Sequence, residues 1–219
     1  MRKYMIMGAP GCGKGTQAGL LCQNYDLTHI CVGDIFRWHI QARTKLAARI
    51  KRIVDSGRLA PDEIVDHVVQ DRLQEHDWNF GFVLDGFPRN HAQAEFFLES
   101  YDIDAVLWLQ VTDEEVFERV LARRLCGGCG LDYNLIRHRP ATPDVCDVCG
   151  DKLEARADDS QQAFGSRIAD FHAQTEPIIE LFRRKELVIE IDGMQTIPNV
   201  YQQVVERLQL PPTTVAELV

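Results

Sequence analysis

Residues 5–16 read MIMGAPGCGKGT, a short apolar run that enters a glycine-rich turn and ends in Lys-Gly-Thr. The apolar run predicts a β-strand, and the residues after the turn predict the start of a helix. Glycines let the backbone curl so that its N–H groups point at one anion, and the helix N-terminus adds its positive dipole end. Lys14 adds a mobile positive charge that reaches terminal phosphates. The stretch therefore predicts a strand, a phosphate-binding loop and a helix.

This loop departs from the common pattern Gly-x4-Gly-Lys-[Ser/Thr] at one position. The pattern is met from Gly8 to Lys14, but Gly15 follows the lysine and the hydroxyl is displaced to Thr16. The alternative interpretation is a glycine-rich turn that binds nothing. It is disfavoured because strand, glycines, lysine and helix follow one another in the required order.

Composition and charge limit the class of protein. The chain has 219 residues, of which 45% are hydrophobic, and this suits one globular domain with small insertions. The formal net charge of −9 argues against nucleic acid or an anionic membrane as the main partner, although local arginines can still hold a nucleotide. No apolar stretch approaches the ~18 residues of a membrane span, and the N-terminus does not resemble a signal peptide. We therefore expect a cytoplasmic protein.

Short apolar runs alternate with longer amphipathic stretches, which favours an α/β fold. The apolar runs predict five strands at residues 4–7, 29–32, 82–85, 105–111 and 187–191. The amphipathic stretches predict helices at residues 14–24, 45–56, 62–76, 92–99, 113–124, 161–184 and 198–208. Because the strands are apolar on both faces, we expect a parallel sheet covered by helices on both sides. Pro177 is expected to kink or break the helix predicted over residues 161–184.

The segment from Cys126 to about Asp159 interrupts this alternation, because it is rich in Cys, Gly, Pro and Asp and has no clear periodicity. Its four cysteines, Cys126, Cys129, Cys146 and Cys149, have the spacing C-x2-C-x16-C-x2-C. Four thiolates suit tetrahedral zinc with no open position, so the predicted site is structural. An iron–sulfur cluster is less favoured because nothing else suggests redox chemistry. We interpret the segment as a mobile lid that zinc makes rigid.

Arginines and carboxylates occur where strands and helices are expected to converge. Residues 85–89, DGFPR, place a carboxylate at the carboxyl end of a strand, where open α/β sheets bind ligands. Arg119 and Arg123 are four residues apart and are expected to share one helix face. Arg156, Asp158 and Asp159 lie at the exit of the cysteine segment, and Arg167 lies on the next helix. The remaining candidates, Arg124, Arg137, Arg139, Arg183 and Arg184, are expected to be solvated surface charges.

Taken in order and spacing, these motifs resemble those of the adenylate kinase family of nucleoside monophosphate kinases, from Met1 to about Leu208. The matching motifs are residues 10–16, Gly33-Asp34 with Arg37, residues 85–89 with Gln93, Arg119 with Arg123, and Arg156-x-Asp158-Asp159 with Arg167. The cysteine segment resembles the zinc-containing lid of long-form bacterial members. The resemblance implies a P-loop NTPase fold, an α/β fold with a five-stranded parallel sheet flanked by helices. The core would comprise residues 1–31, 61–122 and 160–219, with an AMP-binding insert at 32–60 and the zinc lid at 123–159.

For the donor nucleotide, the resemblance implies that ATP phosphates lie in the loop formed by Gly11, Cys12, Gly13, Lys14, Gly15 and Thr16. Arg119 is expected to pack on the adenine, with Gln195 contacting the base through its backbone. Asp132 and Tyr133 of the lid are expected to touch ATP. Asp85 is expected to orient Mg²⁺ through water, because Mg²⁺ keeps much of its hydration.

For the acceptor nucleotide, the resemblance implies that Arg37 and Arg89 hold the α-phosphate of AMP, since bidentate arginines suit a monophosphate. Gln93 is expected to read the adenine edge with its amide, which both donates and accepts. The rest of the implied pocket comprises Val32, Arg58, Leu59, Ala60, Gly86, Phe87, Pro88, Arg156 and Arg167.

For the transfer itself, the resemblance implies that Lys14 stabilises the charge on the moving phosphoryl group. Arg123, Arg156 and Arg167 would clamp the phosphates as the lid closes, together with Arg89. Asp158 and Asp159 would pin these arginines in place. The implied reaction is Mg·ATP + AMP ⇌ 2 ADP, catalysed by a monomer that needs Mg²⁺ and structural Zn²⁺ and has no nucleic-acid or membrane partner.

Two positions depart from the family pattern or add to it. Family members often have Thr before the Gly-Asp pair, where this chain has Val32, so a hydroxyl facing the AMP base is lost. Cys12 lies inside the phosphate loop, and a helix N-terminus can lower the pKa of a thiol. This predicts oxidation-sensitive activity, against the alternative that Cys12 is an inert small residue.

Three alternative functions stay open on the sequence. Val32 is compatible with a sister kinase that uses UMP or CMP as acceptor, or GTP as donor. A P-loop NTPase switch would need the guanine-reading string Asn-Lys-x-Asp, which the sequence lacks. A zinc-ribbon nucleic-acid binding module belongs to a different class, and it predicts a basic chain with aromatic residues among lysines.

Overall fold

A five-stranded parallel sheet forms the centre of the protein in the computed structural model, which describes residues 2–55, 58–156 and 159–212. In chain order the strands are β1 (Lys3–Gly8), β2 (Leu27–Cys31), β3 (Gly81–Asp85), β4 (Ala105–Gln110), β5 (Arg123–Cys126), β6 (Asp132–Asn134), β7 (Leu153–Glu154) and β8 (Val188–Asp192). The central sheet has the order β2-β3-β1-β4-β8, and all its neighbouring strands run parallel. This confirms the predicted fold class.

Helices cover both sides of the sheet, and their bounds follow the apolar periodicity of the sequence. In chain order they are α1 (Lys14–Tyr25), α2 (Val32–Gln41), α3 (Lys45–Asp55), α4 (Asp62–Gln74), α5 (His91–Ser100), α6 (Asp113–Leu121), α7 (Gln161–Asp170), α8 (Ile179–Arg183) and α9 (Ile197–Arg207). Strand β3 is buried along its whole length, and five of the six residues of β1 are buried. Strands covered on both faces need continuous apolar sequence, which explains why these runs were recognisable. None of the helices in the described ranges combines the length and apolar character needed to cross a bilayer.

The order of the strands fixes the position of the site. Strand β1 is central, with β3 and β2 on one side of it and β4 and β8 on the other. In open α/β sheets, ligands bind beyond the carboxyl ends of the strands at such a switch point. The turn from Gly8 to Gly13 leaves β1 at this point and leads directly into α1.

Helix α2 was missed by the sequence analysis, which predicted a strand at residues 29–32. The strand ends at Cys31, and Val32 is the first residue of the helix. Val32 is apolar because it packs in the core together with Phe36, four residues later on the same helix face. Its apolar character extended the preceding strand pattern. Asp34 in the first helical turn was the available signal for a helix start.

One further helix boundary was predicted wrongly, and one predicted helix break is confirmed. The helix predicted at residues 113–124 ends at Leu121, because Arg123 pairs with Asn134 across antiparallel strands of the lid. Arg119 and Arg123 therefore do not share a helix face. The helix predicted at 161–184 is confirmed to break near Pro177, where α7 passes through a π-helical turn (Phe171–Thr175) and a 3₁₀ turn (Glu176–Ile178) into α8. Proline lacks the N–H that would continue the α-helical ladder.

The lid is a small antiparallel sheet with the strand order β6-β5-β7. Its buried cluster consists of Cys126, Tyr133, Cys146 and Leu153, separate from the main core. Four buried side chains are too few to stabilise such a segment alone. The lid therefore needs a further source of stability, which a metal ion on the four cysteines would supply.

Candidate active site and zinc centre

A cleft of about 980 Å³ opens above the carboxyl ends of the central strands, between the phosphate loop and the lid. The predicted site residues that line it are Gly11, Cys12, Gly13, Lys14, Gly15, Thr16, Arg37, Leu59, Asp85, Gly86, Phe87, Pro88, Arg89, Arg119, Arg123, Asp132, Tyr133, Arg156, Arg167 and Gln195. Those that do not line it are Val32, Arg58, Ala60, Gln93 and Asp159. Asp158 lies outside the described residues. Most of the predicted nucleotide-binding set thus meets in one cleft.

The phosphate loop connects β1 to α1 with its backbone close to helix α6. A Cβ added at Gly11 would lie 2.5 Å from Val120 Cγ2, so a side chain does not fit there. The Lys14 ammonium donates hydrogen bonds to the carbonyls of Gly8 and Ala9, both at 2.8 Å. It also lies 3.7 Å from the sulfur of Cys12, which is buried. The loop therefore holds one cation beside the N-terminus of α1, as an anion site requires.

Arg119 is buried and joins three elements around this loop. Its guanidinium donates to the carbonyl of Cys12 at 3.2 Å and to the carbonyl of Gly193 at 2.9 Å. Its Nε donates to Glu115 Oε1 at 2.8 Å. Arg119 therefore ties the phosphate loop to the turn that follows β8, on the side where Gln195 lines the cleft.

Arg137, which was predicted to be a solvated charge, is exposed but also makes specific contacts. Arg137 lies on the lid, lines the cleft, and donates from Nη1 to the carbonyl of Gln195 at 3.0 Å. It also pairs with the carboxylate of Glu115, which it shares with Arg119. Hydrogen bonds from Arg119 and then from Arg137 lower the pKa of Glu115. No sequence pattern indicated these contacts, because Arg137 lies in a polar run and meets Gln195 only in the folded chain.

The lid arginines are paired with carboxylates at the mouth of the cleft. Arg123 Nε donates to Asp159 Oδ2 at 2.7 Å, and Arg167 Nη1 lies 3.5 Å from Asp159 Oδ1. Arg156 donates from one nitrogen to both oxygens of Asp132 at 2.7 Å. Asp159 thus contacts two of the arginines that it was expected to pin. Its catalytic importance stays a prediction.

Three guanidinium groups crowd one another beneath the lid. Burial lowers the pKa of Arg156, and the positive charges of Arg123 and Arg37 lower it further. A buried positive charge is stabilised only when opposite charge approaches it. Asp132 and Asp159 supply part of this opposite charge, but the pKa of Arg156 still lies below its usual value. The cluster is therefore suited to a polyanion.

On the acceptor side, the amide of Gln93 is engaged within the protein. Its Oε1 accepts from the N–H of Arg89 at 2.8 Å, and its Nε2 donates to Asp62 Oδ1 at 2.7 Å. Asn90 caps helix α5 and donates to the same carboxylate oxygen at 2.7 Å. With 1% of its surface exposed, Gln93 reaches a base only if it leaves Asp62. Sequence reasoning missed Asp62, which marks the start of α4 and carries no motif of its own.

The other predicted acceptor residues divide between cleft and core. Leu59 lines the cleft, and Arg89 extends there while its Nε donates to the carbonyl of Gly86 at 2.8 Å. Val32 and Ala60 are buried in the main core, and Arg58 is exposed. In this arrangement the side chain at position 32 serves packing, so its contact with a base stays a prediction.

Asp85 ends strand β3 directly below the phosphate loop. The carboxylate is buried, and a Cβ on Gly15 would lie 3.6 Å from its Oδ2. His29 Nε2 lies 3.4 Å from the same oxygen. A carboxylate at this distance from the loop fits Mg²⁺ that is bound mainly by phosphates and water.

The four lid cysteines are arranged as a metal site. Their sulfur atoms all lie within 4.8 Å of one another, with 3.3 Å between Cys126 and Cys149 and 3.6 Å between Cys129 and Cys146. Zinc–sulfur bonds of ~2.3 Å place tetrahedral ligands ~3.8 Å apart, so the set fits zinc. These separations are far beyond a disulfide bond of ~2.05 Å. Hydrogen bonds from backbone N–H groups, that of Cys149 foremost, lower the pKa of Cys146 to about 6, whereas the neighbouring cysteines and burial raise the pKa of Cys149 to about 12 despite the N–H of Asp151.

A glycine follows each cysteine pair and shapes the turn, as predicted. Gly130 and Gly150 have φ angles of 77° and 75°, where a side chain would be strained. The N–H of Gly130 donates to the carbonyl of Cys126 at 3.1 Å, and that of Gly150 donates to Cys146 at 2.9 Å. The two turns are therefore equivalent, and each presents two sulfur atoms to one point.

Comparison with known proteins agrees with this geometry. The family model described as adenylate kinase matches residues 6–187. An adenylate kinase of Caldicellulosiruptor bescii is 41% identical over 211 residues, which cover 94% of this chain and 98% of the relative. Adenylate kinases of Clostridium tetani (41% over 205 residues, 91% and 95% covered) and Acetivibrio thermocellus (37% over 211 residues, 94% and 97% covered) are also similar. With a P-loop fold, a lysine in the loop and a matching family model over most of its length, the chain belongs to the adenylate kinase family and is a phosphotransferase of the nucleoside monophosphate kinase class.

Proposed function

We propose that the protein transfers the terminal phosphoryl group of Mg·ATP to AMP and forms two molecules of ADP. The observation that carries this proposal is the convergence of positive side chains in one cleft. Lys14 lies at its floor, Arg37 and Arg89 on the acceptor side, and Arg123 and Arg156 on the lid. Phosphoryl transfer needs charge neutralisation and alignment more than covalent chemistry from the protein.

On the donor side, the loop N–H groups bind the ATP phosphates, and the Lys14 ammonium moves from the carbonyls of Gly8 and Ala9 to the phosphate oxygens. Among the described residues, Lys14 contacts only the carbonyls of Gly8 and Ala9 and the sulfur of Cys12. Its move to the phosphates therefore breaks no buried ion pair. Arg119 and the backbone of Gln195 border the donor base.

On the acceptor side, an AMP phosphate oxygen attacks the terminal phosphorus, and the bond from that phosphorus to the oxygen bridging to ADP breaks in line. The acceptor oxygen is already ionised, so the step needs no catalytic base. Arg37 and Arg89 orient the acceptor phosphate, while Arg123, Arg156 and Arg167 neutralise charge on the transferring group. Asp159 holds Arg123 and Arg167 in place for this, and Asp158 is proposed to do the same for the lid arginines.

Closure of the lid excludes water and so prevents hydrolysis of ATP. We propose that residues 123–159 move as one body because zinc bound to the four cysteines makes them rigid, and that residues 32–60 close over the acceptor. Residues 1–31, 61–122 and 160–219 stay in place as the core. Mg²⁺, oriented by Asp85 through water, neutralises charge on the ATP phosphates when it is bound.

A panel of acceptors tests this function. AMP, GMP, CMP and UMP are each supplied with Mg·ATP, and ADP formation is followed with one coupled assay. Strong preference for AMP is the expected result. Transfer to none of the four by folded, zinc-loaded protein contradicts the proposal.

A second candidate is a sister kinase with another base preference. It is favoured by the engaged amide of Gln93 and by the burial of Val32, since neither residue presents a free polar group to an adenine here. Preference for CMP or UMP in the same panel would select it, with the fold and chemistry unchanged.

The setting that we propose is that of a cytoplasmic monomer without nucleic-acid partners. The net charge of −9 supports the last point. Sedimentation at working concentration tests the monomer, and a salt-dependent gel shift of DNA or RNA would contradict the absence of nucleic acid.

A further inference from the structure

A second group of potential metal ligands lies on the floor of the cleft, away from the lid cysteines. His29 and Cys31 are on β2, and Asp85 is opposite Cys31 in the register of β2 with β3. The imidazole, thiol and carboxylate each offer one ligand atom, and these atoms lie within 4.8 Å of one another. All three residues line the cleft.

His29 has an unused nitrogen in this group. Its Nε2 is shielded from solvent and makes no hydrogen bond within the described part of the chain, although it lies 3.4 Å from Asp85 Oδ2. Leaving a buried nitrogen without a partner costs free energy. The alternation of strand residues places His29 and Cys31 on the same face of β2, two residues apart, which directs both toward one point.

We propose that His29, Cys31 and Asp85 form a second metal site, which takes zinc or a similar soft divalent ion and not Mg²⁺. Imidazole and thiolate select zinc, cobalt or copper, whereas Mg²⁺ prefers oxygen ligands. Binding releases the thiol proton of Cys31 to solvent, and the neutral imidazole and the carboxylate donate the other two lone pairs. The fourth position is open to water or a nucleotide phosphate.

The distances require little movement. Zinc bonds of ~2.0–2.3 Å place tetrahedral ligands ~3.3–3.8 Å apart, and His29 and Asp85 already have this separation. Cys31 must approach by about 1 Å at most, within reach of a side-chain rotation.

An ion at this site affects the reaction through Asp85. The same carboxylate is the one proposed to orient Mg²⁺, so the two metals exclude each other there. Zinc is therefore expected to inhibit phosphoryl transfer at fixed Mg·ATP, and this part of the inference rests on the proposed function.

Binding is tested first, without nucleotide or Mg²⁺. Full-length protein with one zinc per chain, confirmed by metal analysis to fill the lid, is dialysed against zinc chloride. A second equivalent of zinc is expected to bind. Cobalt chloride added to the same zinc-loaded protein is expected to produce a thiolate-to-cobalt absorption band in the near ultraviolet.

Variants identify the ligands. Cys31→Ser is expected to abolish the cobalt band and weaken the second zinc at least 10-fold, and His29→Gln is expected to weaken the zinc while keeping the band. Cys22→Ser is the matched control, because Cys22 lies outside the cleft, and it should retain both signals. One zinc per chain in the wild type, or a second zinc that both ligand variants leave unchanged, overturns the proposal.

Inhibition is measured last, with each variant compared to its own uninhibited rate. The zinc concentration for half inhibition is expected to rise at least 10-fold in His29→Gln. An inactive enzyme that still binds the second zinc supports the site and contradicts the kinase function. An active enzyme that binds only one zinc supports the kinase function and contradicts the second metal site.

Discussion

The phosphate loop and the lid face each other across one cleft, but they are stabilised in different ways. The loop is carried by β1 and α1 in a large apolar core, whereas the lid has a buried cluster of four side chains and a set of four cysteines. Apolar burial fixes the loop in every condition in which the protein is folded. We propose that the lid keeps its shape through the zinc bound to these cysteines. The phosphate loop and the arginines of the lid can therefore be perturbed separately.

Removal of zinc should have the largest effect on stability, because it should unfold the lid. A strong chelator is expected to lower the free energy of unfolding by at least ~3 kcal/mol, because metal-binding energy is folding energy in a segment of this size. The change in kcat at a temperature where the core stays folded should be smaller. Thermal unfolding with and without chelator measures the first effect. A chelated sample that melts at an unchanged temperature would contradict it.

Substitution of Lys14 should affect the chemistry and leave the fold intact. Lys14→Ala is expected to lower kcat ~10²–10³-fold, because one donor to the developing charge is lost. The melting temperature should stay within about two degrees, since within residues 2–55, 58–156 and 159–212 the lysine bonds only to two carbonyls and a thiol of its own loop. Lys51→Ala is the matched control, because Lys51 lies on α3 and pairs with Asp55. Equal losses in both variants would refute the role of Lys14.

Shortening a side chain in the main core should lower the free energy of unfolding without changing the zinc content of the lid. Leu73 is fully buried on α4, and Leu73→Ala is expected to cost ~2–5 kcal/mol. Val148→Ala in the exposed part of the lid should cost less than about 0.5 kcal/mol. Denaturant unfolding gives both values, and metal analysis should find one lid zinc per chain in each. Equal losses of unfolding free energy in the two variants would contradict the claim that apolar burial stabilises the core more than the lid.

Loss of the contact between lid and core should have a smaller effect. Arg137→Ala removes a hydrogen bond to the Gln195 carbonyl and an ion pair with Glu115. We expect a rise in KM for ATP of ~5–10-fold, about 1 kcal/mol, with little change in stability. Arg139→Ala is the control on the same lid, because in the part of the chain that the structure describes Arg139 bonds only the Leu135 carbonyl. An unchanged KM in Arg137→Ala would show that the contact does not stabilise the closed lid.

The smallest expected effect is a pH dependence of the free energy of unfolding, and it comes from His172, which does not line the cleft. His172 bonds Glu176 and Asp113, and these contacts raise its pKa above the usual value. A raised folded-state pKa contributes stability below about pH 6.5, and this is lost as pH rises through the folded value. His172→Gln should therefore lower stability by less than about 1 kcal/mol at pH 5.5 and by nothing measurable near pH 9. The opposite pH dependence would contradict the assignment.

The sequence predicted the loop side of the site better than the lid side. Residues 8–16 and the strand that precedes them carry a local pattern, and the structure has the predicted strand, turn and helix. The cysteine spacing was equally local. Arg137 and Asp62 were missed because their partners, Gln195 and Gln93, are distant in sequence. Helix α2 was missed because a core residue at its first position continued the apolar pattern of β2.

The carboxylate that Arg119 and Arg137 share has a consequence for turnover. Glu115 lies on α6 in the core, so the proposed lifting of the lid takes Arg137 away from Glu115 but leaves Arg119 in place, with its hydrogen bonds to the carbonyls of Cys12 and Gly193. The donor cradle thus stays assembled between reaction cycles. With the proposed motions of the lid and of residues 32–60, product leaves and fresh nucleotide enters without the phosphate loop being rebuilt at each turn.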